Sequence, residues 1–177
     1  MRTIFSIVLL LLITAMGYAQ KQEAKVGRPR IERNKNIETK SGYNYFMLDV
    51  VKDIDVVYTE YEELIQKVWD NEVNLDLQKT SVTPLKEINN IRTEIVNMPI
   101  YQGGLEYRNS ILDYLEAVKQ KIVVLEKFGI LGADANSDIQ LYYETSRKFQ
   151  EADNVTIDKR NKVRRQKAIY ERTAYVE

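Results

Sequence analysis

The chain contains no His and no Cys, so any chemistry must come from carboxylates, Lys, Arg, Ser, Thr and Tyr. Imidazole bases, thiolate nucleophiles and His- or Cys-ligated zinc and haem sites are excluded. Asp134-Ala135-Asn136-Ser137-Asp138 offers oxygen ligands at alternate positions, as a calcium loop begins. The rest of such a loop is absent. Its sixth position is Ile139, where Gly permits the sharp turn, and its twelfth is Thr145, where a bidentate Glu belongs. The same residues suit the start of a helix, with Asn136 or Ser137 as cap and Asp138 near the positive helix end, and this is the expected use. Asp70, Glu72, Asn74 and Asp76 also alternate oxygens, without a Gly turn. No metal site is expected.

Ferritin-like bundles hold two metal ions with carboxylates and a Glu-x-x-His pair, which a chain without His cannot form. There is no Gly-x-Ser-x-Gly elbow, no Ser followed three residues later by Lys, and no Gly-rich phosphate loop. Asp113 and Glu116 are i, i+3 neighbours on a helix, where acid pairs face solvent. No catalytic residue and no cofactor are assigned, and the chain is expected not to be an enzyme.

The 12 tyrosines are the unusual feature of the composition. Tyr58, Tyr61, Tyr107, Tyr114, Tyr142 and Tyr143 fall on or beside the helical seams described below. The expected use is packing at the edge of a core, with each hydroxyl reaching water or a carbonyl. The alternative is a Tyr-lined pocket, which would make the chain a small-ligand carrier or sensor. In Met98-Pro99-Ile100-Tyr101-Gln102-Gly103-Gly104-Leu105-Glu106-Tyr107, a Pro and two Gly shape an aromatic-bearing turn. Tyr101, Gly103, Gly104 and Tyr107 are the candidate surface site there.

The elements that must position these residues are helices. Met47, Val50, Ile54, Val57, Tyr61, Leu64 and Val68 step alternately by three and four, which predicts an amphipathic helix from Gly42 to about Asp70. Thr83-Pro84 reads as N-cap and first residue of a second helix carrying Leu85, Ile88, Ile91, Ile95 and Met98 and ending before Pro99. Gly103-Gly104 opens a third, with Ile111, Leu115, Val118, Ile122 and Leu125 on its seam, Tyr107, Tyr114 and Phe128 on the flank and Gly129 as its C-cap. Ser137 and Gln140 make a capping-box pattern for a fourth, bearing Ile139, Tyr142, Tyr143, Phe149, Ala152, Val163 and Tyr170. Its apolar pattern thins after Ala152, which predicts a second half that projects beyond the core or packs loosely. Four helices with mostly short connections give an all-α, antiparallel four-helix bundle with long first, third and fourth helices, the first and third being the central pair.

Residues 1–19 read as a signal peptide. Arg2 precedes an uncharged, apolar run from Thr3 to Ala19, and Gly17-Tyr18-Ala19 followed by Gln20 predicts cleavage after Ala19. The chain is therefore expected to be exported to the periplasm or beyond the cell, with no stable membrane span after cleavage. Lipoprotein anchoring needs a Cys, and there is none. Residues 20–40 read as a flexible basic arm and 41–177 as the bundle domain.

The balance of 26 basic and 26 acidic residues hides a pattern. Residues 20–40 carry net +4, residues 41–158 net −10 and residues 159–177 net +5. An exported chain without a nucleic-acid motif is not expected to bind nucleic acid. The basic ends suit either the acidic body of the molecule itself or an anionic envelope component. Arg160, Lys162, Arg164 and Arg165 are the candidate residues for binding such a component or a partner protein.

The signal ending Gly17-Tyr18-Ala19-Gln20, the stretch Tyr43-Asn44-Tyr45-Phe46 and the turn Gly103-Gly104-Leu105-Glu106-Tyr107 resemble, in layout, small exported helical-bundle proteins of Gram-negative bacteria whose function is not known. The resemblance implies a fold and a compartment and carries over no functional residue. The functional expectation is a non-enzymatic interaction module.

Overall fold

Apolar side chains that recur every three or four residues share one face of a helix, and that face must be buried. In the computed structural model, which describes residues 37–173, four helices do this: α1 (Lys40–Trp69), α2 (Val82–Asn97), α3 (Leu105–Ala133) and α4 (Ile139–Arg172). The described residues contain no strand and lie within one compact unit, Ile31–Glu177. The expected signal segment, its cleavage point at Ala19 and Gln20, and arm residues 20–36 lie outside the described residues.

Each helix runs opposite to the one before it, so the fold is an antiparallel four-helix bundle. α1 and α3 run parallel at its centre: Tyr43 lies against Gly104 at one end, and Trp69 against Gly129 and Gly132 at the other. α2 packs on both of them, and α4 packs most extensively on α3. The core is made by Met47, Val50, Ile54, Val57 and Tyr61 of α1, Ile88, Ile91 and Ile95 of α2, and Ile111, Leu115, Val118, Ile122 and Leu125 of α3. On α1 the buried position after Tyr61 is Ile65, whereas Leu64 and Val68 are only partly buried. A straight helix repeats every 3.6 residues, so a strict heptad seam drifts out of the core along its length.

The helix ends correct four local expectations. α1 begins at Lys40, capped by the Thr39 hydroxyl, which accepts from the Gly42 amide at 3.0 Å. α2 is preceded by Ser81 rather than Thr83, and Ser81 makes no side-chain cap. Its caps come from α3 instead. Glu126 accepts from the Ser81 amide at 2.6 Å, and Arg108 donates to the Val96 carbonyl at 2.9 Å. A carboxylate at the N-terminus and a guanidinium at the C-terminus both suit the helix dipole. α3 does not stop at Gly129 but runs on to Ala133, because the missing side chains of Gly129 and Gly132 admit Ile65 and Trp69 of α1. The Trp69 indole donates to the Gly129 carbonyl at 2.9 Å. α4 is capped by Asp138, not Ser137, and its carboxylate accepts from the Gln140 and Leu141 amides.

Three turns among the described residues hold a residue at positive φ, one of them Lys79 at φ 65° before α2. Asn71 follows α1 at φ 58°, with its amide bonded to the Val68 carbonyl and that of Glu72 to the Lys67 carbonyl, which closes the helix as a Schellman motif. Gly103 has φ 73° in the four-residue turn closed by the Gly104 amide on the Tyr101 carbonyl at 2.8 Å. Gly104 is needed for space, since a Cβ there would sit 2.7 Å from the Tyr43 ring and 2.9 Å from the Tyr101 carbonyl oxygen. Gly104→Ala is therefore expected to lower the free energy of unfolding by about 1–3 kcal/mol, measured by denaturant unfolding, through overpacking against a fully buried ring.

Candidate functional site

The second half of α4 is packed along its length, contrary to the sequence-based expectation: Thr156, Val163 and Tyr170 are buried. These three, with Phe149 and Tyr142 before them, are spaced by seven. α3 offers a matching heptad, Tyr107, Tyr114, Lys121 and Phe128, all buried. Ser110 and Ala117 are small and buried on α3, which lets the two helices approach closely. Rings close this interface at both ends. Tyr107 and Tyr43 each pack on Tyr170 with centroids within 5.7 Å, and Phe128 packs on Tyr142 and Phe149.

Between the rings, charge takes the place of apolar packing. The Lys121 ammonium, only 8% exposed, pairs with Asp153 of α4 and lies 4.0 Å from the Tyr58 ring centroid. Tyr58 donates to Glu62 at 2.7 Å. One step along, Asp55 of α1 accepts from Tyr114 of α3 at 2.6 Å and from Arg160 of α4. Burial pushes the Asp55 carboxyl up, while Arg160 and the Tyr114 hydroxyl pull it back down. Further along, Asp113 of α3 receives Lys162 at 2.9 Å and Lys159 at 3.7 Å, and the Lys162 bond, more than any other influence, holds its carboxyl low. These are the groups in the molecule most capable of acid–base chemistry. They are paired with one another between helices, so the arrangement joins α4 to α1 and α3.

Of the four candidate basic residues, Arg160 and Lys162 belong to this interface. Arg164 and Arg165 are exposed. Arg164 makes a 3.5 Å contact to Asn161, and its charge is also felt by Asp55 and Tyr114. The sequence reading missed Lys121, Asp153 and Asp55. The signal was present, since Lys121 fills the position between Tyr114 and Phe128 in a repeat of seven, and Asp153, Arg160 and Lys167 form a parallel repeat on α4.

The aromatic turn is divided in the same way. Gly103 is exposed and Tyr101 partly buried, but Gly104 is buried and Tyr107 is 1% exposed. Tyr107 is therefore not a surface residue. It lies under Tyr170, and its hydroxyl has no hydrogen-bond partner. Tyr61, Tyr107 and Tyr114 are buried and Tyr58 and Tyr142 partly buried, whereas Tyr143 is exposed. Among the described residues, an open groove of about 230 Å³ lies between the α1–α2 connection and the end of α3, lined by Leu75, Leu77, Gln78 and Ile130 with Asp76 and Asp134, and by no tyrosine.

The two oxygen-rich loops use their carboxylates on backbone amides. Asp134 accepts from Asn136, Asp138 caps α4 and Asp76 accepts from Gln78. No group of His, Cys, Asp or Glu placed to hold a metal ion occurs among the described residues, and no described helix is long and apolar enough to cross a membrane. Compared with known protein families, curated proteins and solved structures, the chain matches none.

Two outcomes follow from this interior. Asp153→Ala leaves the Lys121 charge buried without its partner and is expected to cost about 2–4 kcal/mol in urea unfolding. The double variant Lys121→Met, Asp153→Leu should recover most of that loss; a double variant as unstable as the single would show that the pair itself supplies stability. The second outcome concerns alkali. Burial pushes Tyr43 and Tyr61 up to about 12 from an ordinary 10.0, and Tyr58, Tyr107, Tyr114 and Tyr170 further. Raised folded-state values add stability that is complete below pH 10 and disappears as pH rises through the folded values. The melting temperature should fall above pH 10, with most of the phenolate absorbance appearing together with the loss of helical circular dichroism. Phenolate formation by these tyrosines in an intact helical fold would contradict the packing described.

Proposed function

We propose that this protein is an exported, non-enzymatic interaction module that binds a partner protein or a cell-envelope component through the basic stretch of α4. One observation carries the proposal: that stretch is divided between two uses. Arg160 and Lys162 hold α4 on the bundle, while Arg164 and Arg165 of the same turns face outward. Arg165 and Arg172 have no partner among the described residues. The ionisable groups of the interior support the non-enzymatic part of the proposal, because they pair across helix contacts rather than facing a cleft. Outward guanidinium groups on a rigid helix bind anions in fixed geometry, with a strength that falls as salt rises.

The test is retention of the processed chain in an envelope fraction. Arg164→Glu with Arg165→Glu should lower the retained fraction several-fold at low salt, and high salt should release the unsubstituted chain. The melting temperature should stay nearly constant, since neither side chain is buried. Equal retention of the two forms would overturn the proposal.

A further inference from the structure

The start of α1 and the end of α4 lie far apart in the sequence but meet at one end of the bundle. An up-down-up-down chain of four helices places the start of α1 beside the end of α4. The contacts make this concrete: Lys40 lies 4.6 Å from the Tyr170 ring centroid, Asn44 donates to Glu171 at 2.9 Å, and the Tyr170 hydroxyl reaches the Lys40 carbonyl. Residues 20–36, with six basic side chains, precede α1 in the sequence and lie outside the described residues. On α4, the exposed Arg165 and Arg172 share one outward face with Ile169, at spacings of four and three. The turn from α2 to α3 is here too, since Tyr43 packs on Tyr101 and Gly104.

Large apolar side chains are exposed at both ends, with Val82, Ile139 and Leu141 among those at the far one. At this end, Tyr45, Ile100, Leu105 and Ile169 are between 44% and 65% exposed. The acids at this end are Glu38, Glu94 and Glu106, and Glu171, which is held by Lys167 and Asn44. The opposite end is more acidic, with Asp70, Glu72, Asp76, Asp134, Asp138 and Glu144 exposed beside Lys79, Lys86, Lys127, Arg147 and Lys148. The molecule is thus polarised along its length.

From this we infer that the end of the bundle formed by the start of α1, the α2–α3 turn and the end of α4 docks on a membrane surface rich in anionic phosphodiester lipid headgroups. The inference rests on the interaction-module reading and names its partner. The positive end is drawn to an anionic lipid layer and the acidic end is repelled, so the bundle stands on the surface with its long axis across the plane. The exposed apolar side chains select lipid over a soluble polyanion, because only a lipid layer offers an apolar boundary beneath its charges. Aromatic and aliphatic side chains interleaved with Arg are the chemistry of that boundary.

The probe is co-sedimentation with vesicles of phosphatidylcholine, with and without phosphatidylglycerol. The chain used starts at Gln20, which keeps every described residue and removes the apolar run, and its melting curve is checked first. Binding is expected only with phosphatidylglycerol and should weaken as salt rises. Arg165→Glu with Arg172→Glu should lower affinity by about tenfold. Leu105→Ser with Ile169→Ser should weaken binding several-fold and leave the salt dependence unchanged. Lys127→Glu with Lys148→Glu, the same charge change at the acidic end, should have little effect. An equal loss from the variants at either end would overturn the inference, as would equal binding to phosphatidylcholine alone or binding to soluble polyphosphate as tight as to vesicles. If vesicles do not bind while envelope retention still depends on Arg164 and Arg165, the lipid assignment fails and the interaction module stands. If neither occurs, both fail.

Discussion

A helix packed against three others has little surface left for water, so its polar groups must be satisfied by its neighbours. This constraint on α3 organises the molecule. α1 is tied to it by the Trp69 indole on the Gly129 carbonyl and by Tyr114 on Asp55. α2 takes both its end caps from it, from Glu126 and Arg108. α4 is tied through Lys121 and Asp113. Apolar burial supplies most of the driving force in such a core but is indifferent to small slides of one helix along another. The polar contacts are directional, so they select one register for each neighbour.

α4 shows how far this device extends. Its fully buried apolar side chains are only Val163 and Tyr170, with Tyr142 and Phe149 partly buried. A 34-residue helix with so few apolar anchors would be weakly held by area alone. Stacked rings fix its two ends and ion pairs fix the stretch between. Of these groups only Lys121 is buried, the Asp55 and Asp113 pairs being half-buried; such pairs contribute little net energy, but a lost partner for Lys121 is costly. They therefore resist misplacement of α4 more than they add to its stability.

The same pairs bear on function. They withdraw Arg160, Lys162 and Lys159 from the basic stretch and leave Arg164, Arg165 and Arg172 to act outward. The topology then brings this remainder beside the start of α1 and the exposed apolar side chains of the α2–α3 turn. What was a charge pattern along a chain becomes a difference between two ends of a rigid body. A rigid body polarised in this way can be oriented by a field or a surface, which a flexible chain of the same composition cannot.

The existence and approximate length of the four helices, and the core faces of the first three, were legible in the sequence, because a 3.6-residue period is a local property of the chain. Ile88, Ile91, Ile95, Ile111, Leu115 and Ile122 are buried as their spacing predicts. The absence of His and Cys likewise excluded whole classes of chemistry from the sequence alone. Local signals misled at the helix ends. Thr83-Pro84 is a good start motif, but the cap that α2 uses belongs to Glu126, 45 residues away. Gly129 is a good stop residue, yet it lies inside a helix because Ile65 and Trp69 need its missing side chain. Only the tertiary structure decided which charges are internal and which face out, and which ends of the chain share an end of the molecule. The reason is physical: a charge's role depends on what lies within a few ångströms, and for Lys121, Arg160 and Tyr107 those neighbours come from other helices.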